Sequence, residues 1–144
     1  MKISTRGRYA LRMMLDLAEH YSDEYISLKE ISKRQDISKK YMEQIIPMLN
    51  QGHLLRTAKG QHGGYRLARL PREITLREVV SCAEGGINII DCLADEVNQC
   101  PRAETCMTLP IWEGLNKTIN DYLESYTLQD ILDRQASDMG TYVI

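Results

Sequence analysis

Apolar residues recur at Ala10, Met14, Leu17, Ala18 and Tyr21. That spacing of i, i+4, i+7, i+8 and i+11 marks one face of a helix, predicted over about Thr5 to Tyr21 and closed by the polar turn Ser22-Asp23-Glu24. Ser27-Leu28-Lys29-Glu30 reads as a capping box, in which the Ser hydroxyl takes the third helical amide and the Glu side chain reaches back. It opens a short helix over about 27–34, followed by the turn Gln35-Asp36-Ile37. Ser38 then caps a third helix with Met42, Ile45, Ile46 and Leu49 on its apolar face. Lys39, Lys40, Glu43, Gln44 and Gln51 fall on the other side. Pro47 is expected to kink this helix or end its first part, and Gly52 to stop it.

The period then changes. Two short strands are predicted near Leu54–Ala58 and Tyr65–Ala68, joined by the glycine-rich tip Lys59-Gly60-Gln61-His62-Gly63-Gly64. Pro71 breaks the chain, and a second capping box, Thr75-Leu76-Arg77-Glu78, opens a helix through about Ala83. Residues 85–108 have poor periodicity. A helical stripe returns with Leu109, Trp112, Leu115, Ile119, Tyr122 and Tyr126; Thr127 to Asp130 caps a last short helix, and a polar, loose tail is expected after Gln135. The expected organisation is a mainly α chain. A winged helix-turn-helix domain with a two-stranded wing covers 1–83 and a loop covers 84–108. A long C-terminal helix and a short terminal helix cover 109–135, and a tail covers 136–144.

Two short helices across a tight turn, followed by a hairpin, is the element order of a winged helix-turn-helix. In that motif the N-terminal end of the second helix enters the major groove of DNA. The side chains there suit base edges: Gln matches adenine, Glu the cytosine amino group, and Lys guanine or a phosphate. The glycines of the hairpin tip permit close approach to the DNA backbone or minor groove. Charge sharpens this reading. The net charge of −2 hides a division: residues 1–80 hold 15 Lys and Arg against 9 Asp and Glu, whereas residues 81–144 hold 3 against 11. A balance of +6 beside one of −8 assigns a polyanionic partner to the first half alone. The candidate DNA-contacting set is Arg6, Arg8, Ser38, Lys39, Lys40, Tyr41, Glu43, Gln44, Lys59 and Gly60, with Lys2 and Arg12 as further cations near phosphates.

No apolar run approaches the ~18 residues of a membrane span. The basic, then apolar N-terminus fails as a signal peptide, because Arg12 and Asp16 interrupt it and no small-residue cleavage site follows. The expected location is cytoplasmic. No Ser/His/Asp set, phosphate loop or paired carboxylates point to an enzyme, and no small-molecule substrate is expected.

The four cysteines, Cys82, Cys92, Cys100 and Cys106, all lie in the acidic half, and in a cytosolic chain structural disulfides are not expected. Cys82 falls in a predicted helix and reads as a small buried hydrophobe. Cys92, Cys100 and Cys106 share one irregular segment, a disposition suited to a soft metal or an iron–sulfur cluster. The paired CxxC knuckles common in zinc sites are absent. Three thiolates leave a fourth ligand to find, and His20, His53 and His62 all lie outside the segment; Asp91, Glu104 or a residue of a partner subunit stay open. A thiol switch or a zinc site is the alternative. A small iron–sulfur electron carrier would have no use for the basic half.

Taken together, MKISTRGRYALRMMLDLA, ISKKYMEQIIPMLNQGHL and KGQHGGYRLAR resemble the IscR-type family of winged-helix regulators over roughly residues 2–133. The resemblance implies a homodimer built on the Leu109–Tyr126 helix and a pseudo-palindromic double-stranded operator. It also implies base reading through Lys40, Glu43 and Gln44, with the wing inserting near Lys59-Gly60. Cluster-binding members use three cysteines matching Cys92, Cys100 and Cys106, which implies a cluster here, 2Fe-2S favoured over 4Fe-4S, and repression of iron–sulfur assembly genes. The sequence departs from the family pattern at Leu109, where a ligand histidine would stand, and at Arg8 and Arg12, which match the positions of ligands donated by a partner's first helix. Sensing of redox state or nitric oxide through the thiols is the alternative implied role.

Overall fold

Every helix begins where a hydroxyl or a proline stops the backbone from running on, and the caps place the elements of the computed structural model, which describes residues 2–142. Ser4 accepts the Gly7 amide and starts α1, Thr5–Glu19. Ser27 accepts the Glu30 amide and starts α2, Leu28–Gln35. Only half of that capping box forms, since the Glu30 carboxylate lies 3.7 Å from Arg34 one turn on. Ser38 accepts the Tyr41 amide and starts α3, Lys39–Gln51. Helix α3 runs through Pro47 without ending there. The missing amide costs one rung of the helix, and the buried side chains on either side of it hold the helix together.

The wing follows as β1, Leu55–Ala58, antiparallel to β2, Gly64–Leu67, in register Leu55 with Leu67 and Ala58 with Gly64. A further bridge pairs Ile26 with Tyr65, so the chain between α1 and α2 forms a one-residue edge on the wing. Gly64 permits that approach: a Cβ there would stand 2.1 Å from the Ile26 carbonyl oxygen. A 3-10 turn, Pro71–Glu73, leads to α4, Leu76–Glu84, whose Thr75–Glu78 capping box closes in both directions. The loop beyond contains one 3-10 turn, Asp91–Leu93, and ends at α5, Leu109–Glu124. The last helix, α6, spans Leu128–Tyr142, longer than the short helix ending near Gln135 that the sequence predicts. Thr127 and Asp130 cap it reciprocally, Asp taking the place of the usual Glu.

Helix α1 presents Ala10, Met13, Met14 and Leu17 to the centre, all at most 1% exposed. Ile31 of α2, Met42, Ile45 and Leu49 of α3, Val79 of α4 and Leu128 of α6 complete the same core. Asp16 sits on this buried helix at 1% exposure. Arg34 clamps it with two hydrogen bonds of 2.8 and 3.0 Å, and the Gln35 amide adds a third of 3.0 Å. Burial works to raise the Asp16 pKa; the Arg34 and Gln35 hydrogen bonds outweigh it and hold the carboxyl below its ordinary value.

A carboxylate whose folded pKa is depressed stabilises the fold at pH above its unfolded value of about 4, and that contribution is lost as pH falls through the folded value. Asp16→Asn is therefore expected to lower stability by about 1.5–3 kcal/mol at neutral pH, the worth of charged hydrogen bonds. The gap from wild type should close below about pH 4, read from urea midpoints across a pH series.

Candidate nucleic-acid interface and cysteine loop

The turn between α2 and α3 is set by Asp36, whose φ of 53° is left-handed, and by Ile37, buried beneath it. This turn aims the start of α3 outward. Ser38, Lys39, Lys40, Glu43 and Gln44 are exposed there, opposite the buried Met42, Ile45 and Leu49. No acidic residue stands in the first turn of α3. Its free amides and two lysines therefore offer uncompensated positive potential to an anion. Tyr41 is half-buried and packs edge-on against Tyr9 of α1 at 5.3 Å, and the Arg12 guanidinium lies over the Tyr9 ring, 5.2 Å from its centre. Tyr41 thus has a packing role in addition to any role on DNA.

On the wing, Lys59, Gly60, Gln61 and His62 are exposed, and Gly60 takes a φ of 104° that favours glycine. The strand register sets Arg56 directly opposite Arg66, two cations across one pair. Arg66 turns to the Tyr25 ring at 5.0 Å and to the Asp23 carbonyl at 3.0 Å. Arg56 is exposed and has no ion-pair partner among the described residues. It joins Lys59 as a wing cation, a residue that sequence reasoning missed because nothing in its neighbourhood says which of two facing arginines is engaged. The cations near the N-terminus divide as well. Arg8 is exposed and donates to the Thr5 hydroxyl, whereas the Arg6 Nε donates to the Ala83 carbonyl at 2.8 Å and helps finish α4. Ser4 and Glu84 close the same junction, with the Ser4 hydroxyl 2.5 Å from the carboxylate.

The four cysteines are free thiols and each is partly buried. Cys82 packs against the core at the end of α3; a Cβ on Gly52 would fall 2.2 Å from its sulfur. Burial, with Glu78 nearby, pushes its thiol pKa up. Cys92 lies in the Asp91–Leu93 turn, and the Cys100 amide donates to the Asn98 side chain at 2.9 Å. The Cys106 sulfur lies 3.5 Å from the Thr108 hydroxyl just ahead of α5, and that hydrogen bond, with the Thr108 and Leu109 amides, lowers its pKa. The loop brings the three into one segment but not into one cage: among the described residues no three His, Cys, Asp or Glu side chains converge as a metal site. Helix α5 buries none of its residues, and Ile111, Trp112, Leu115 and Tyr122 are exposed along it. Among the described residues no helix is long and apolar enough to cross a membrane.

A family model described as Rrf2, iron-dependent transcriptional regulator, matches residues 3–134. The chain belongs to the Rrf2 family. The protein rrf2 of Nitratidesulfovibrio vulgaris is 40% identical over 138 residues, covering 95% of this chain and 90% of that protein. Among solved structures, CymR, the global cysteine regulator of B. subtilis, superposes with a TM-score of 0.74 at 31% identity, covering 93% of this chain and 98% of its own. IscR of T. potens gives 0.72 at 33% identity, covering 94% and 88%. This Rrf2 member is a mainly helical winged helix-turn-helix protein, a DNA-binding transcriptional regulator and not an enzyme.

The contrast between its thiols is measurable. At neutral pH, N-ethylmaleimide is expected to label Cys106 faster than Cys82, because the thiolate is the reacting form. Peptide mapping over a time course reads the order, and equal rates for the two would show that their surroundings do not govern reactivity.

Proposed function

We propose that this Rrf2-family regulator acts as a homodimer on a pseudo-palindromic operator, and that Cys92, Cys100 and Cys106 hold an iron–sulfur cluster whose state sets its affinity. The observation that carries the reading is the joint placement of three free thiols in one loop that leads directly into α5, on a protein with a cationic reading head. The donor set fits the group: thiolates are the usual iron–sulfur ligands, all three are partly exposed, and one is already pulled toward the thiolate. A two-iron cluster is favoured. Its fourth ligand comes from outside the three cysteines, since Leu109 cannot coordinate and the histidines lie on α1's end, after α3 and on the wing. When bound, the group supplies an oxidation- and iron-sensitive tie among three points of the loop.

The chain's own residues supply the rest. The exposed Ile111, Trp112, Leu115 and Tyr122 form an apolar stripe larger than a lone soluble helix leaves in water, which suits a second copy of α5. Two-fold pairing would present two α3 helices to successive major grooves, about 34–36 Å apart along the duplex. Ser38, Lys39, Lys40 and Tyr41 meet the backbone and groove edge, while Glu43 and Gln44 read bases. Arg8, Arg56, Lys59 and Gly60 hold phosphates or the minor groove, with Arg6 contributing through its remaining amino groups. Repression of iron–sulfur assembly genes is the regulatory output that matches these parts. The lack of a ready-made metal cage among the described residues and the lowered pKa of Cys106 favour one other reading, a thiol switch responding to oxidants or nitric oxide without a cluster.

Anaerobic incubation with iron and sulfide is expected to give a coloured protein whose visible absorption is lost in Cys92→Ala. A colourless product with unchanged operator binding after reversible thiol oxidation would overturn both readings, and a colourless product with altered binding would leave the thiol switch. Glu43→Ala is expected to relax base preference at one operator position while changing affinity for the best sequence by less than about tenfold, because a lone carboxylate discriminates more than it attracts. Selection from a random-sequence duplex pool measures this, and an equal loss on every sequence would remove Glu43 from the readers.

A further inference from the structure

The cysteine loop is held to the rest of the protein at its first residues by two asparagines of α5. The Ile89 amide donates to the Asn116 side-chain oxygen at 3.1 Å. The Asn120 amide nitrogen donates to the Ile87 carbonyl at 3.1 Å and to the Asn116 carbonyl at 2.8 Å. The same carboxamide accepts, through its oxygen, from the Arg77 Nε of α4 at 3.0 Å. One side chain therefore joins the loop, α5 and the DNA-binding body. A carboxamide suits this position because it donates and accepts at once while carrying no charge.

The surroundings make the junction decisive. It borders an open cleft of about 470 Å³ between α4, the loop and α5, lined by polar groups including Ser81, Asn88 and Lys117. The hydrogen bonds of Asn116 and Asn120 act together with the partly buried Ile87 and Ile89 in setting the loop's position there. The other end of α5 is fixed independently of the loop. The Leu76 amide donates to the Tyr126 carbonyl at 2.9 Å, the Thr75 hydroxyl to Glu124 at 3.1 Å, and the Leu128 amide to the Ile74 carbonyl at 3.0 Å. Helix α5 is thus tied by backbone to the start of α4 at one end and by the Asn120 carboxamide to both the loop and α4 nearer its middle. A shift of the loop at Ile87 must either move Asn120 against Arg77 or break the bond.

We propose that Asn120, supported by Asn116 and facing Arg77, is the positioning residue through which the disposition of the cysteine loop reaches the DNA-binding body. The proposal rests on the reading that the loop thiols are the sensing groups. It concerns the ratio of operator affinities between two states of the loop and not the affinity of either state.

The test uses full-length protein and a duplex carrying the site that wild-type protein selects from a random pool. Two variants cut the junction on opposite sides: Asn120→Asp keeps the acceptor for Arg77 and removes the donor to Ile87, and Arg77→Met keeps the donor to Ile87 and removes the Arg77 bond, together with the exposed 3.9 Å pair of Arg77 with Glu124. Operator affinity is measured for protein loaded with iron and sulfide and for metal-free protein. A second pair of states, independent of any cluster, is metal-free protein before and after N-ethylmaleimide modification in a Cys82→Ala background. Wild type is expected to show an affinity ratio within the usual range for allosteric coupling, about 5–150-fold, and both variants a ratio within about twofold of one. Their melting temperatures and, where a cluster forms, its visible spectrum should match wild type. Hydrogen exchange at the Ile89 amide should quicken in Asn120→Asp. Variants that keep the wild-type ratio, or lose affinity equally in both states, overturn the proposal. If iron and sulfide give no colour, the cluster reading fails, and the maleimide pair still decides the junction. A maleimide-modified wild type with unchanged affinity overturns the junction as well.

Discussion

One buried helix face sets the geometry on which everything else depends. Ala10, Met13, Met14 and Leu17 of α1 are almost wholly removed from water, and α2, α3, α4 and α6 all pack around them. The chain is short, so it has little apolar material to spare for a second core. Helix α3 and the last helix are consequently positioned by the same few methionines and leucines. The clamp of Arg34 and Gln35 on Asp16 fixes α2 against this face. With α2 fixed, the left-handed Asp36 turn gives α3 its exit direction. The orientation of Lys40, Glu43 and Gln44 is thus inherited from α1, which need not touch a base itself.

Charge adds a second layer that the core does not dictate. The winged-helix half carries the basic excess, and the structure sorts its cations by whether they have a protein partner. Arg34, Arg66 and Arg69 are engaged with acids or carbonyls, and Arg6 is partly engaged with α4. Lys39, Lys40, Arg56 and Lys59 stay exposed on α3 and the wing, where an anionic duplex would meet them. The acidic half holds the thiols and α5. Its negative balance disfavours contact with DNA.

Much of this was legible along the chain. Hydroxyl caps at Ser27, Ser38, Thr75 and Thr127 mark helix starts because a cap needs only neighbouring residues to act. The apolar period of Met42, Ile45, Ile46 and Leu49 gave the buried face of α3 directly. Pro47 does not end α3, the second of the two outcomes its residue type offers, since propensity is local and the tertiary core around Ile45, Ile46 and Leu49 overrides one lost rung. The α6 end was misjudged for a related reason: a polar surface helix shows little apolar period beyond its anchoring residues, here Leu128 and Leu132. In the candidate site, residue types and exposure of the α3 set were readable. The Tyr41–Tyr9 contact, the engagement of Arg6 and the freedom of Arg56 were not, since each depends on a residue far away in sequence.

The sequence by itself determined the element types, the segregation of charge and the confinement of three cysteines to one loop, because period, capping and composition are properties of neighbouring residues. Tertiary structure alone decided that Ile26 edges the wing, that Leu128 shares the core of α1, and that Asp16 is a satisfied buried acid. It also decided that the loop thiols form no ready-made metal cage among the described residues while Asn116 and Asn120 hold the loop's beginning to α5. A pattern along the chain states which face of a helix avoids water. What that face meets is set by pairings across dozens of residues, for which the chain carries no local signal.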